Sequence, residues 1–191
     1  MSRHPDQNKK RKILEASLEA FGELGYKKTT IKHIATKAEI APGSIYTYFN
    51  DKTTLFVATI DDVWNRYIER TINISNEDWD FETKFMESID FGLELLYKAH
   101  YLLGSMLSTA ERRAMLTFHL KQTINAIQPL FLAGQAEGIF VISDDPELRS
   151  FQLETYICGI LFELSVVEKK EVKQKIDFIR KGIYKHFFMK S

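Results

Sequence analysis

A single cysteine, Cys158, leaves this chain with no intramolecular disulfide framework and no cysteine-based zinc site. It lies in an apolar run and reads as a buried small hydrophobe. No apolar run approaches the ~18 residues that a membrane-spanning helix needs. The opening MSRHPDQNKKRK has no apolar centre, so it does not read as a secretory signal, and a reducing cytoplasm is the expected setting. Internal repeats, low-complexity segments and strand-like alternation are all lacking, as are a Gly-rich phosphate loop and a nucleophile elbow. His100 and His119 have no partner at ligand spacing, and His33 lies elsewhere. No enzyme, metal centre or cofactor is therefore expected.

Net charge is lacking too: 26 Lys and Arg balance 26 Asp and Glu. The distribution is uneven. Residues 1–52 carry +4, residues 53–167 carry −9 and residues 168–191 carry +5. A basic N-terminal module on an acidic body is the asymmetry expected when one end meets phosphate.

What is present centres on TTIKHIATKAEIAPGSIYTYFNDK, residues 29–52. Thr29 or Thr30 can cap a helix over about 30–38. Ile31, Ile34, Ala35 and Ala38 form its apolar stripe. A second helix starts at Pro42, a residue suited to the first helical position. It turns Ile45 and Phe49 inward and leaves Gly43, Ser44, Thr47 and Tyr48 outward. Small and hydrogen-bonding residues suit a helix lying in a DNA groove. Asp51 caps the next helix. Lys52 follows at its N-terminus, where an acid is the better match to the helix dipole and a nearby phosphate would account for the cation. On spacing alone two readings stand, a groove-reading unit and a generic three-helix packing unit.

The residue identities separate them. Phe21, Gly25, Tyr26, Thr29, Thr30, Ile34, Ala35, Gly43, Ser44, Tyr46, Tyr48, Phe49, Lys52 and Leu55 together resemble the DNA-binding domain of TetR-type transcriptional regulators. The match covers roughly residues 8–56, under a third of the chain. Two positions depart from the family pattern: Glu39 stands where Gly is common in the turn, and Ala41 where a capping Ser is usual. The expected DNA surface is Thr30, Pro42, Gly43, Ser44, Tyr46, Thr47, Tyr48 and Lys52. Thr30 and Lys52 are assigned to phosphates, Thr47 and Tyr48 to bases or methyl groups, Pro42 and Ser44 to the groove floor. The cluster Lys9–Lys12 adds phosphate contacts.

The whole chain reads as all-α. An N-terminal three-helix helix-turn-helix DNA-binding domain (1–52) precedes a C-terminal helical ligand-binding and dimerisation domain (53–191). Helices are expected over about 8–24, ending at Gly25, then 52–72 as a connector, 81–99, a short one near 101–107, 110–135 with a kink or break at Pro129, 146–167 and 169–188. The segment YICGILFELSVV is apolar almost all round and predicts cover on two sides. A monomer core would explain the last two helices. The resemblance implies instead a homodimer with a four-helix interface, placed on Thr155, Gly159, Ile176, Ile179, Ile183 and Phe187. Two-fold symmetry matches a palindromic operator.

The resemblance also implies that a small molecule is sensed in the second domain and that the connector carries the response, most simply relief of repression. Trp64, Tyr67, Phe85, Tyr97, Phe118, Phe131 and Tyr156 are candidates to line an apolar pocket, against the alternative that they are core. Glu163 is the carboxylate candidate for a cationic ligand, while Asp90 and Glu94 read as a solvated face. An apolar or aromatic effector stands beside the cationic one. The rival class is a helical small-molecule carrier or interaction module that keeps the fold without specific DNA binding.

Overall fold

The computed structural model describes residues 6–102, 110–139 and 143–188. Among these residues every regular element is helical. Helix α1 spans Gln7–Lys28, with the Asp6 carboxylate accepting from the Asn8 and Lys9 N–H groups. Gly25, at φ 75°, ends its regular part where the sequence predicts, because that conformation carries no Cβ penalty in glycine. Helices α2 (Ile31–Lys37) and α3 (Pro42–Ile45) follow, then α4 (Lys52–Ser75), capped by Asp51. The Thr54 N–H donates to the Asp51 carboxylate at 2.7 Å and holds its pKa below the usual range.

The N-terminal core is closed by complete burial of Ile13, Phe21, Ile34, Ile45, Leu55 and Phe56. Each such side chain contributes about 1.5–3 kcal/mol of burial free energy. Phe56 meets Phe21 and Tyr26 edge-on, with ring centroids 5.3 and 4.7 Å apart. The Thr29 hydroxyl is buried and donates to the Ala20 and Gly25 carbonyls.

This core does not stop at the start of α4. Leu55, Phe56, Thr59 and Ile60 lie in its first turns and are all buried. Ala99 and Leu102, just beyond α5 (Phe81–Lys98), complete the same cluster. A boundary at residue 52 therefore falls inside a continuous packing unit.

The body adds α6 (Ala110–Ala136), α7 (Pro146–Ser165) and α8 (Val172–Phe188). Helix α6 runs through Pro129 without a break; the proline sits on its exposed side. The short helix expected near 101–107 lies mostly outside the described residues.

Two packing expectations need correction. Cys158 is exposed, because nothing among the described residues covers the outer face of α7. The stripe Ile176, Ile179, Ile183 and Phe187 on α8 faces its own subunit. Ile176 and Ile179 pack on Leu120, Leu161 and Leu164, and Ile183 and Phe187 pack on Phe81 and Phe85. The outward apolar face is formed instead by Phe151, Tyr156, Phe162 and Val166, with Phe178 from α8. Thr155 and Gly159 do lie on that exposed face.

Candidate nucleic-acid interface and ligand cavity

The turn between α2 and α3 carries the strain that its sequence foretells. Glu39 has φ 56°, in the region where a side chain costs on the order of 1 kcal/mol. Ala41 is the N-cap of α3 and supplies no side-chain hydrogen bond. Glu39→Gly should therefore raise unfolding stability by about 0.5–1 kcal/mol. A urea midpoint that stays or falls would reject that account.

Beyond the turn, most of the residues assigned to the DNA surface are exposed. Thr30 is exposed and is the N-cap of α2: its hydroxyl accepts from the His33 N–H at 3.2 Å. His33 returns the contact, its Nδ1 accepting from the Thr30 N–H at 3.4 Å. That role for His33 was not read from the sequence, although the three-residue spacing from a Thr is the signal for such a box. Pro42, Gly43 and Thr47 are exposed, and Ser44 is half-buried. Tyr46 is 55% exposed and stands free of the core. Tyr48 leans partly on the core, so only part of its ring faces outward.

Lys52 is placed differently from expectation. Its Nζ donates to the Tyr26 carbonyl at 2.9 Å and the Thr29 carbonyl at 3.1 Å, and it sits 4.4 Å from the centroid of the Tyr26 ring. The carbonyl end of α1 attracts a cation, and the face of the Tyr26 ring adds to that attraction. Lys52 thus ties α1 to α4. Lys37 plays a similar part between α2 and α1, reaching Glu23 at 3.0 Å and Glu19 at 3.5 Å. The hydrogen bond to Glu23 raises its pKa. Lys10, Arg11 and Lys12 remain exposed at the start of α1.

Between α4, α5, α6, α7 and α8 lies a cavity of about 330 Å³. Trp64, Tyr67, Phe85, Phe131 and Tyr156 line it, as the aromatic reading anticipates. Tyr97 and Phe118 do not; both project from the outer surface. Glu163 does not either: it is exposed and ion-paired with Lys175. The acidic pair on α5 is solvated as read, with Glu94 bonded to Lys98 and Asp90 held by Arg180 at 2.5 and 2.7 Å. The aliphatic walls, including Val63, Ile89, Leu96, Ile127, Ile157 and Ile160, were not singled out. Nothing in periodicity separates them from ordinary core.

Gly92 shapes the cavity. A Cβ there would stand 2.9 Å from Tyr67 Cε2, so the Tyr67 ring packs directly on α5 at this glycine. The Tyr67 hydroxyl contacts Ser88 at 3.3 Å, which contacts Thr71 at 3.1 Å, and burial pushes the phenol pKa up. One turn nearer the N-terminal unit, Trp64 stacks on the buried His119 ring at 5.5 Å. His119 Nε2 lies 2.8 Å from Asp61 Oδ1. Connector and α6 are therefore joined at the cavity wall. Among the described residues no group of three or more His, Cys, Asp and Glu side chains is placed to hold a metal ion, and no helix is long and apolar enough to cross a membrane.

Comparison with known proteins follows the same division. Residues 13–59 match the model of bacterial regulatory proteins of the tetR family. An uncharacterized HTH-type transcriptional regulator, YhgD of Bacillus subtilis, is 25% identical over 167 residues, covering 82% of this chain and 84% of that protein. Two solved structures superpose on nearly the whole chain. The fatty acid degradation regulator FadR of Bacillus halodurans has a TM-score of 0.67 at 22% identity, covering 95% of this chain and all of that one. FadR of Bacillus subtilis in complex with stearoyl-CoA has a TM-score of 0.66 at 20% identity, with the same coverage. Residues 13–59 thus form a helix-turn-helix unit of the tetR type, and over most of its length the chain is similar to an HTH-type transcriptional regulator and shares the fold of two others.

Proposed function

We propose that this regulator binds a palindromic operator as a homodimer and that a small apolar molecule in the cavity relieves repression by moving α4. The observation that carries this reading is the continuity of α4. Its first turns are part of the N-terminal core and its middle lines the cavity, with no interruption between Lys52 and Ser75. Filling the cavity displaces Trp64 and Tyr67, and a rigid helix transmits that displacement to the packing around Leu55 and Phe56. A ligand shifts the equilibrium only by its differential affinity for the two arrangements. A hydrocarbon chain in the cavity also fits one protein of like fold, which is described in complex with stearoyl-CoA, a ligand with a long acyl chain. The domain division at residue 52 is kept as a functional one: the reading surface lies before it and the sensing cavity after it. Such a protein works in the cytoplasm, where the operator is.

On the DNA side, Thr30, Pro42, Gly43, Ser44, Tyr46, Thr47 and Tyr48 form the reading surface, and Lys10, Arg11 and Lys12 meet phosphates. Lys52 acts indirectly, by holding α4 to α1. Because Tyr46 is exposed and carries no core contact, Tyr46→Ala should weaken operator binding by about 1–3 kcal/mol without changing the thermal midpoint. Unchanged affinity and unchanged sequence preference would remove it from the reading surface.

The test of the function is selection from sheared genomic DNA at moderate salt, followed by sequencing of the retained fragments. A palindromic consensus whose retention is lost on adding an apolar effector is the expected result. No retention at any salt would favour the rival, a helical carrier of small molecules, since phosphate binding must strengthen steeply as salt falls.

A further inference from the structure

We infer that the cavity selects an uncharged amphiphile, a hydrocarbon body with one hydrogen-bonding head such as a hydroxyl or carbonyl, and that Thr123 receives that head. The inference rests on the cavity being the effector site proposed above.

Several helical hydroxyls elsewhere among the described residues are satisfied locally. Ser17, Thr36, Thr59, Ser75, Thr117 and Thr155 each donate to the carbonyl four residues back, at 2.7–3.1 Å. Thr123 breaks this pattern. It lines the cavity, is only 2% exposed, and its Oγ1 has no hydrogen-bond partner among the described residues. A buried hydroxyl without a partner costs about 1–3 kcal/mol, so a ligand group that meets it gains what the free protein forgoes. The remaining inner hydroxyls, on Tyr67 and Ser88, already bond one another.

Charge is excluded by the walls. Among the described residues none that lines the cavity is Asp, Glu, Lys or Arg, and His186 is exposed. An ionised head brought inside would lose its hydration with no counter-ion to replace it. The position of Thr123 also orients the ligand. It lies one helical turn from His119, which stacks on Trp64, whereas Phe85, Phe131 and Phe187 gather at the other end. The head therefore lands beside the connector and the hydrocarbon runs towards the phenylalanines.

The test uses the full chain with Trp79→Phe. Trp79 is exposed, and its removal leaves Trp64 as the single tryptophan. Decanol, decanoate and decyltrimethylammonium are titrated against Trp64 fluorescence at about pH 7, where decanoate is ionised. Decanol should bind at least about tenfold more tightly than either ion. Thr123→Val, which keeps shape and removes the hydroxyl, should weaken decanol about fivefold, and Thr123→Ser should restore it. Ions that bind as well as decanol, or a Val variant with unchanged decanol affinity, overturn the inference while leaving the cavity as a ligand site. Failure of all three probes to bind overturns both the inference and the cavity reading.

Discussion

Gly22→Ala is expected to destabilise the protein by about 3 kcal/mol, the upper end of what overpacking costs. A Cβ at Gly22 would lie 1.9 Å from the Lys98 carbonyl oxygen and 3.1 Å from its carbon. Both are backbone atoms, so no rotamer change relieves the contact. Either α1 moves off the end of α5, or Lys98 and Ala99 shift and disturb the buried Ala99 and Leu102. Helix propensity alone predicts the opposite sign, a gain of about 1 kcal/mol for Ala over Gly in a helix interior. Urea denaturation thus separates the two cleanly. A higher midpoint in the Ala variant would show that α1 does not rest on α5. The consequence extends to function: Gly22 is where the DNA-reading unit seats on a helix that also lines the cavity. A variant that stays folded with the contact widened should bind operator weakly and respond poorly to effector.

That contact shows which features are written locally and which are not. The reading unit was legible because each of its residues answers to a local rule. Thr30 caps, Pro42 opens a helix, Gly25 closes one, and Ile34, Ile45 and Phe49 fall at helical spacing and are buried. Even the Glu39 strain was legible, since it needs only the turn. The cavity was half legible. Trp64, Tyr67, Phe85, Phe131 and Tyr156 could be named as candidates because the body is rich in aromatics, but whether each faces a void or a neighbour depends on five helices at once. Tyr97 and Phe118 have the same chemistry and point outward. The contacts of Lys52 were not legible for a related reason. Its own helix start argues for an anion nearby, and the carbonyls that satisfy it belong to residues 26 and 29, brought close only by the fold. Gly22 and Gly92 gave a weaker signal: a glycine inside a helix usually marks a close approach, without saying to what.

Phe162→Glu should dissociate the proposed dimer, raising its dissociation constant by about a hundredfold or more. In the single chain Phe162 is 61% exposed, Phe151 65%, Val166 63% and Phe178 70%. Phe151, Thr155 and Phe162 recur at helical spacing along one face of α7, with Cys158 and Gly159 between them and Val166 at its C-cap. Gly159 has nothing within 4 Å of where a Cβ would lie, which permits a second helix to come close. A patch of this kind on an isolated protein marks an association site. In a two-fold interface every residue is presented twice, so one substitution places two carboxylates in the same desolvated region. The substitution removes no internal contact of the N-terminal core or the cavity, so helical content and Trp64 fluorescence should be unchanged. Sedimentation at micromolar concentration reads the association directly. Operator affinity should fall with it, because one short α3 spans one half-site and the second half-site depends on the partner. A Phe162→Glu protein that still sediments as a dimer would move the interface away from α7, and the exposed phenylalanines would then require another partner. Loss of the dimer with operator binding retained would show that the two subunits associate on DNA without this face.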